Sequence, residues 1–279
     1  MQAVSEVTDG EVVAIEGKTL RRSFDRATGK GAIHMVSAWA SANRLVLGQQ
    51  KGAEKSNEIT AIPALLRLLE SKGCIVTIDA MGCQKAIART IVEQEADYVL
   101  TLKANHGLLY EEVQQFFGWA QQRQFVDVPH EYYHTLEGKH GRMEERRYWV
   151  VSDLSGCRET QDWGGLQRLG MGERQRTGAG KTTVAVHDYL TSLAGSGQQF
   201  GEAVRTHWSI ETGRHWVLDV AFQEDQSRLR RDHAAENFAV LRHLALSLLR
   251  QEQTCSTGLK VKRLKAAWDD EYLTRVLFA

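Results

Sequence analysis

The chain has 279 residues, with 35 basic and 35 acidic side chains and no formal net charge. That length suits one large α/β domain carrying an insertion, and the neutral balance leaves any nucleic-acid footprint to local clusters. No stretch approaches the roughly 18 consecutive apolar residues that span a bilayer, and the N-terminus lacks the basic and apolar regions of a signal peptide, so the expected location is cytoplasmic.

A short strand is expected over 12–16 (VVAIE), breaking at Gly17. Strands over 33–40 and 45–49 follow, joined through Ser41, Ala42 and Asn43, a hairpin-length connection that makes them antiparallel neighbours. Ile59, Ile62, Leu65, Leu66 and Leu69 recur at helical spacing, and Pro63, tolerated in a first turn, sets the regular helix start near Thr60. A buried strand over 74–79 (CIVTID), a helix over 84–95 with Ile87, Ile91 and Val92 inward, and a strand over 97–102 (DYVLTL) come next. A helix from about Gly107 to Gln122 then presents Leu109, Val113, Phe116, Phe117 and Ala120. A meander followed by strand–helix–strand crossovers predicts a mixed sheet with helices on its faces.

From about 124 to 195 aromatic and polar residues alternate around a glycine turn, which predicts a mostly β insertion. The expected division is therefore 1–123 as the first part of the core, 124–196 as the insertion, and 197–279 as the second part with C-terminal helices. Asp232 is the expected N-cap of a long helix carrying Phe238, Leu241, Ala245 and Leu248.

Three acids stand out against this background: Glu16 in VVAIEGKT, Asp79 in CIVTIDAMG and Glu211 in THWSIETGRHW. An acid in a buried strand costs several kcal/mol unless it is paired or bound to a metal. Asp79 closes its strand, where site residues collect in α/β sheets. Around Glu211, helical geometry would stack His207, Glu211 and His215 on one face. Such oxygen ligands suit Mg²⁺ or Mn²⁺, and two such ions can clamp an in-line phosphoryl displacement. Strand-end acids are also common turn residues and helical glutamates are commonly solvated, so the residues by themselves leave both readings open.

GAGKTT at 178–183 lacks a phosphate loop's first glycine, since Gln175 occupies that position; GKT at 17–19 fails likewise with Val12 there. The four cysteines form no C-x-x-C pair, which argues against a zinc ribbon or disulfide framework, and Cys74 reads as a small core hydrophobe. His207 and His215 read as phosphate or base contacts, or as packing around Trp208 and Trp216. Basic clusters lie at Lys18, Arg21 and Arg22, at Arg142, Arg146 and Arg147, at Arg228, Arg230 and Arg231, and at Lys260, Lys262, Arg263 and Lys265. Charge runs are usually solvated faces; two of these clusters flank candidate metal acids and would place phosphate-binding cations beside the metals, a weak pointer to a nucleic-acid substrate.

The blocks AIEGKTLR, GKGAIHMVSAWA, EKSNEITAIPALL, GCIVTIDAMGCQ, DYVLTLKANHG, KHGRMEER, RTHWSIE, RHWVLDVAFQEDQSR and KRLKAAWDDEYL, in order from about residue 11, resemble the H-repeat-associated transposases of bacterial insertion sequences. The resemblance implies a ribonuclease H-like α/β fold, a mixed sheet flanked by helices with a mostly β insertion between the second and third acids. It also implies metal-dependent cleavage and strand transfer of insertion-sequence ends. Carried over by position, Glu16, Asp79 and Glu211 are the catalytic and metal-holding acids for two Mg²⁺ or Mn²⁺ ions. Lys18, Arg21, His207, Arg214 and Arg228 are the candidate contacts to double-stranded DNA, both transposon ends and target, with a homodimer expected on DNA and no membrane partner.

The chain departs from the family pattern in three ways. The first acid is an aspartate in the family and Glu16 here, and the added methylene displaces the carboxylate by up to about 1.5 Å. Thr212 replaces the asparagine after the third acid. The first catalytic strand begins within the first dozen residues, where family members carry a preceding segment, so end recognition or assembly is expected to be affected. An alternative expectation follows: a catalytically impaired, truncated remnant that only binds DNA.

Overall fold

The computed structural model describes residues 9–25, 29, 31–41, 45–52, 58–139, 141–210 and 215–278. Two compact units divide the chain: Val13–Leu69 with Trp208–Ala279, and Glu70–His207 with the stretch that runs up to Val12. These cuts follow compactness and fall elsewhere than the domain limits expected from sequence. No helix among the described residues is long and apolar enough to cross a membrane.

The first unit is built on an antiparallel meander of β1 (Val12–Leu20), β2 (Ile33–Ala40) and β3 (Leu45–Lys51). β1 does not break at Gly17: pairing with β2 continues through Gly17↔Val36 to Leu20↔Ile33, because the ladder partners outweigh the glycine's weak strand preference. Alternation sends Ala14, Glu16, Lys18 and Leu20 to one face of β1. Helix α1 (Glu58–Leu66) buries Ala61, Ile62, Leu65 and Leu66 and packs on β2 and β3. It starts at Glu58, two residues before the expected position, so Pro63 sits inside the helix rather than in its first turn. Gly48 lets it approach: a Cβ there would come within 3.0 Å of Leu65 Cδ1.

The same unit contains α5 (Trp216–Phe222), α6 (Ala234–Gln251), α7 (Leu259–Trp268) and α8 (Asp270–Leu277). α6 lays Ala235 and Ala239 on Leu20, Ile33 and Met35, and small side chains permit that close approach. Phe238 and Leu241, expected on its buried face, are instead 45% and 54% exposed; the inward stripe is Ala235, Ala239, His243, Leu246, Ser247 and Leu249. Its N-cap position is His233, one residue beyond Asp232, which adopts a positive φ of 45°. Where α6 ends, Glu252 is buried and accepts from Tyr272 Oη at 2.6 Å. Burial would raise its pKa, but bonds from Thr254, Tyr272 and Lys262 prevail and hold the carboxyl at about 2.

In the second unit β4 (Ile75–Ile78) and β5 (Asp97–Leu102) are parallel, joined through α2 (Lys85–Glu93). α2 turns Ile87, Ala88 and Ile91 inward, whereas Val92 is exposed. After α3 (Gly107–Gln122), β6 (His130–Lys139), β7 (Arg142–Val151), β8 (Arg168–Gly178) and β9 (Lys181–Thr191) form an antiparallel meander, and β9 returns to pair with β5. The strand order in this unit is β4-β5-β9-β8-β7-β6, a mixed sheet as expected. The GAGKTT segment forms the β8–β9 hairpin: Ala179 and Gly180 both take positive φ, as a two-residue turn of this kind requires.

Helix α4 (Gly197–Ile210) lies on the meander through Phe200, edge-on to Tyr148 and Tyr189. Gly170 of β8 makes this possible, since a Cβ there would meet Phe200 Cζ at 2.3 Å. Two arginines of β7 face glutamates: Arg146 pairs with Glu137 and Glu144, and Arg147 with Glu145 and with Glu173 at 3.0 Å.

Candidate active site

Glu16 lies mid-strand in β1 and is 8% exposed. His215, just ahead of α5, brings Nε2 to 3.3 Å from Glu16 Oε2. Two residues along the same face, Lys18 is enclosed by acids: its Nζ lies 2.6 Å from Asp219, 2.9 Å from Glu224 and 3.8 Å from Asp225. Arg21 pairs with Asp225 at 3.2 Å while its side chain stays 76% exposed. Arg228 is exposed. Lys18 is therefore largely neutralised by its neighbours, and Arg21 and Arg228 are the cations of this set open to solvent.

In the second unit Asp79 follows the last residue of β4. Its Oδ1 accepts the backbone N–H groups of Met81 at 3.1 Å and Gly82 at 3.4 Å, so the side chain closes its own turn while Oδ2 takes no part in it. Asn105 Nδ2 donates to Ala80 O at 2.9 Å and ties that turn to the segment after β5. Thr77, two residues earlier, meets His207 of α4 at 3.0 Å between Oγ1 and Nδ1.

His207 is buried, and burial brings its pKa down to about 4, with the Asp79 charge opposing and Lys103 reinforcing the shift. His207 therefore sits in the interior against Thr77, as a neutral imidazole, between the two roles expected of it from sequence, phosphate or base contact and packing. Glu211, Thr212 and Arg214 lie outside the described residues.

Sequence reasoning overlooked several participants. Asp219, Glu224 and Asp225 had a visible signal, because a strand-face cation at Lys18 needs acidic partners if it is not solvated. Asp188 on β9 had none: it is 3% exposed, and burial raises its pKa to about 6 against the lowering effect of Gln114. Among the described residues, no three His, Cys, Asp or Glu side chains converge to hold a metal ion. As donors, Glu16 and Asp79 are carboxylates of the hard-oxygen type that Mg²⁺ and Mn²⁺ select.

Residues 7–248, a span that includes the positions of all three acids, match the family model described as the transposase DDE domain. The chain belongs to the DDE transposase family. Within it, this DDE transposase chain is 43% identical over 282 residues to the protein named "Putative transposase YncI" of Escherichia coli O157:H7, covering 99% of this chain and 71% of that protein. It is 40% identical over 275 residues to the "H repeat-associated putative transposase YhhI" of Escherichia coli strain K12, covering 96% and 72%. A third relative, named "Uncharacterized protein in dhlA 3'region" in Xanthobacter autotrophicus, is 39% identical over 180 residues, covering 64% and 59%. The H-repeat-associated transposase resemblance read from the sequence blocks is thereby established.

Proposed function

We propose that this DDE transposase chain cleaves insertion-sequence ends and joins them to target DNA in a reaction that depends on Mg²⁺ or Mn²⁺. The observation that carries the reading is the family match over residues 7–248, which spans Glu16, Asp79 and Glu211 together. These three carboxylates would hold the cations, two in number, on a ribonuclease H-like core interrupted by the β6–β9 meander as an insertion. When bound, such ions supply the charge that activates a water or a 3′-hydroxyl and stabilises the leaving oxygen.

The chain's own residues have definable tasks in this scheme. Asp79 is held by its turn in one orientation. Glu16 is held in a largely water-free setting beside His215, where an acid interacts more strongly with a cation than it would in bulk water. Lys18 offsets the acids of α5 and the segment after it. Arg21 and Arg228, with Arg214, would take DNA phosphates, positioning the duplex without reading its sequence. Double-stranded DNA is the substrate, a homodimer on DNA is the working state, and the bacterial cytoplasm is where it acts.

A second reading, a DNA-binding remnant with impaired catalysis, is favoured by Glu16 itself, a longer acid where the resemblance implies an aspartate. A strand-transfer assay on insertion-sequence end DNA with Mg²⁺ or Mn²⁺ separates the two, using the parent chain, Glu16→Asp and Asp79→Asn. Product from the parent that disappears in Asp79→Asn supports the enzyme. Product only from Glu16→Asp identifies the glutamate as the lesion and supports the remnant. If neither makes product while all three bind end DNA alike, the enzymatic reading of this polypeptide is lost.

A further inference from the structure

Glu16 ends a row of polar side chains that crosses the sheet of the first unit. β1 sets Glu16 opposite Ser37 on β2, and β2 sets Ser37 opposite Gln49 on β3, so the three share one face. Gln49 Nε2 donates to Ser37 Oγ at 3.0 Å and lies 2.6 Å from His243 Nδ1, which reaches the sheet from α6. Ser37 and His243 are buried at 4% and 6% exposure.

The side chains around this row on the same face are apolar or already paired: Lys18 and Lys51 share the face and bind acids of their own. Ala14 packs with Trp39 on one side, and Leu20, Ile33 and Met35 pack with α6 on the other. Four adjacent polar groups in such a layer carry a desolvation cost that alanine or leucine would avoid, so packing alone does not account for them. The donors also have a direction. An amide nitrogen only donates, so His243 accepts at Nδ1 and keeps its proton on Nε2. The second amide hydrogen goes to Ser37, whose oxygen therefore accepts. The next polar position on that face is Glu16.

We infer that Ser37, Gln49 and His243 are positioning residues for the Glu16 carboxylate. A glutamate has one more rotatable bond than an aspartate. The polar row on one side and His215 on the other restrict that freedom, so the longer side chain presents its oxygens in one arrangement. Ordered outer groups of this sort raise metal affinity by orienting the ligand. The inference rests on the proposed role of Glu16 as a metal ligand.

The test is Mn²⁺ binding to the purified chain, followed by electron paramagnetic resonance or calorimetry, with urea unfolding measured alongside. The variants are Glu16→Gln, Gln49→Leu, Ser37→Ala and Ser37→Thr. Expected results are loss of the site in Glu16→Gln, weakening by about tenfold or more in Gln49→Leu and Ser37→Ala, and recovery in Ser37→Thr, which keeps the hydroxyl. Parent-like Mn²⁺ affinity in Gln49→Leu and Ser37→Ala, with the site lost in Glu16→Gln, overturns the inference and leaves the metal reading standing. A fall in stability without a fall in affinity does the same, assigning the row to packing. No Mn²⁺ binding by the parent, or unchanged binding in Glu16→Gln, removes Glu16 as a ligand and the inference with it. Should Gln49→Leu fail to fold, the Ser37→Ala and Ser37→Thr pair makes the same comparison.

Discussion

Thr77 Oγ1 and His207 Nδ1 lie 3.0 Å apart, a buried bond that joins β4 to α4 within the second unit. Thr77 precedes Asp79 by two residues, and His207 precedes Glu211 by four positions in sequence. Replacing Thr77 by valine keeps the shape and removes the hydroxyl, leaving a buried ring nitrogen without its partner. The expected cost is about 1–3 kcal/mol in urea unfolding, with Thr77→Ser losing much less. Equal stability of parent and Thr77→Val would show that the bond contributes nothing.

Two buried groups of this unit titrate in opposite senses. His207 has its pKa depressed to about 4 from 6.5, so its contribution to stability is present above pH 6.5 and is lost as pH falls through 4. Asp188 has its pKa raised to about 6 from 3.8, so its contribution is present below pH 3.8 and is lost as pH rises through 6. Asp188→Asn removes only the second slope. That variant should exceed the parent at pH 7 by something on the order of 1–3 kcal/mol and match it near pH 4, measured as unfolding free energy across a pH series.

Lys18 neutralises a glutamate whose side chain is 1% exposed, Glu224, along with Asp219 and Asp225. Lys18→Met should cost about 3–5 kcal/mol, because it strands a buried charge, and adding Glu224→Gln should return a substantial part. Denaturant midpoints of the two single variants and the double variant form the cycle that checks this.

The cysteines differ sharply in setting. Cys74, Cys83 and Cys157 are buried free thiols, and burial pushes the pKa of Cys74 and Cys157 up to about 11. Cys255 is partly exposed and its pKa is lowered by hydrogen bonding to Thr257. Under native conditions a disulfide reagent should label one thiol rapidly, abolished in Cys255→Ser, and the other three only on unfolding.

Much of the secondary structure was legible because its signal is local. α3 matches its expected limits, and the alternating stretch after Gln124 forms the β6–β9 meander. Errors arose where a partner overrides a local preference. Gly17 stays in β1 because β2 pairs with it, and Phe238 and Leu241 of α6 point outward where alanines pack against Leu20, Ile33 and Met35. The inward stripe of α6, with Ala235, Ala239 and His243 four apart, was available in the sequence, but hydrophobic size drew the assignment to Phe238 and Leu241 instead.

By itself the sequence determined the family, the order of strands and helices, and the acids worth attention, because motifs and periodicity are properties of neighbouring residues. Tertiary structure decided what surrounds each of those groups. It put His207 in the interior against Thr77, enclosed Lys18 in carboxylates, and drew Ser37, Gln49 and His243 into line with Glu16. Burial and charge pairing depend on side chains that lie up to two hundred positions apart in the chain, as Lys18 and Asp219 do. No local pattern encodes that proximity, and it is what sets whether a buried acid is braced, neutralised or free to hold a cation.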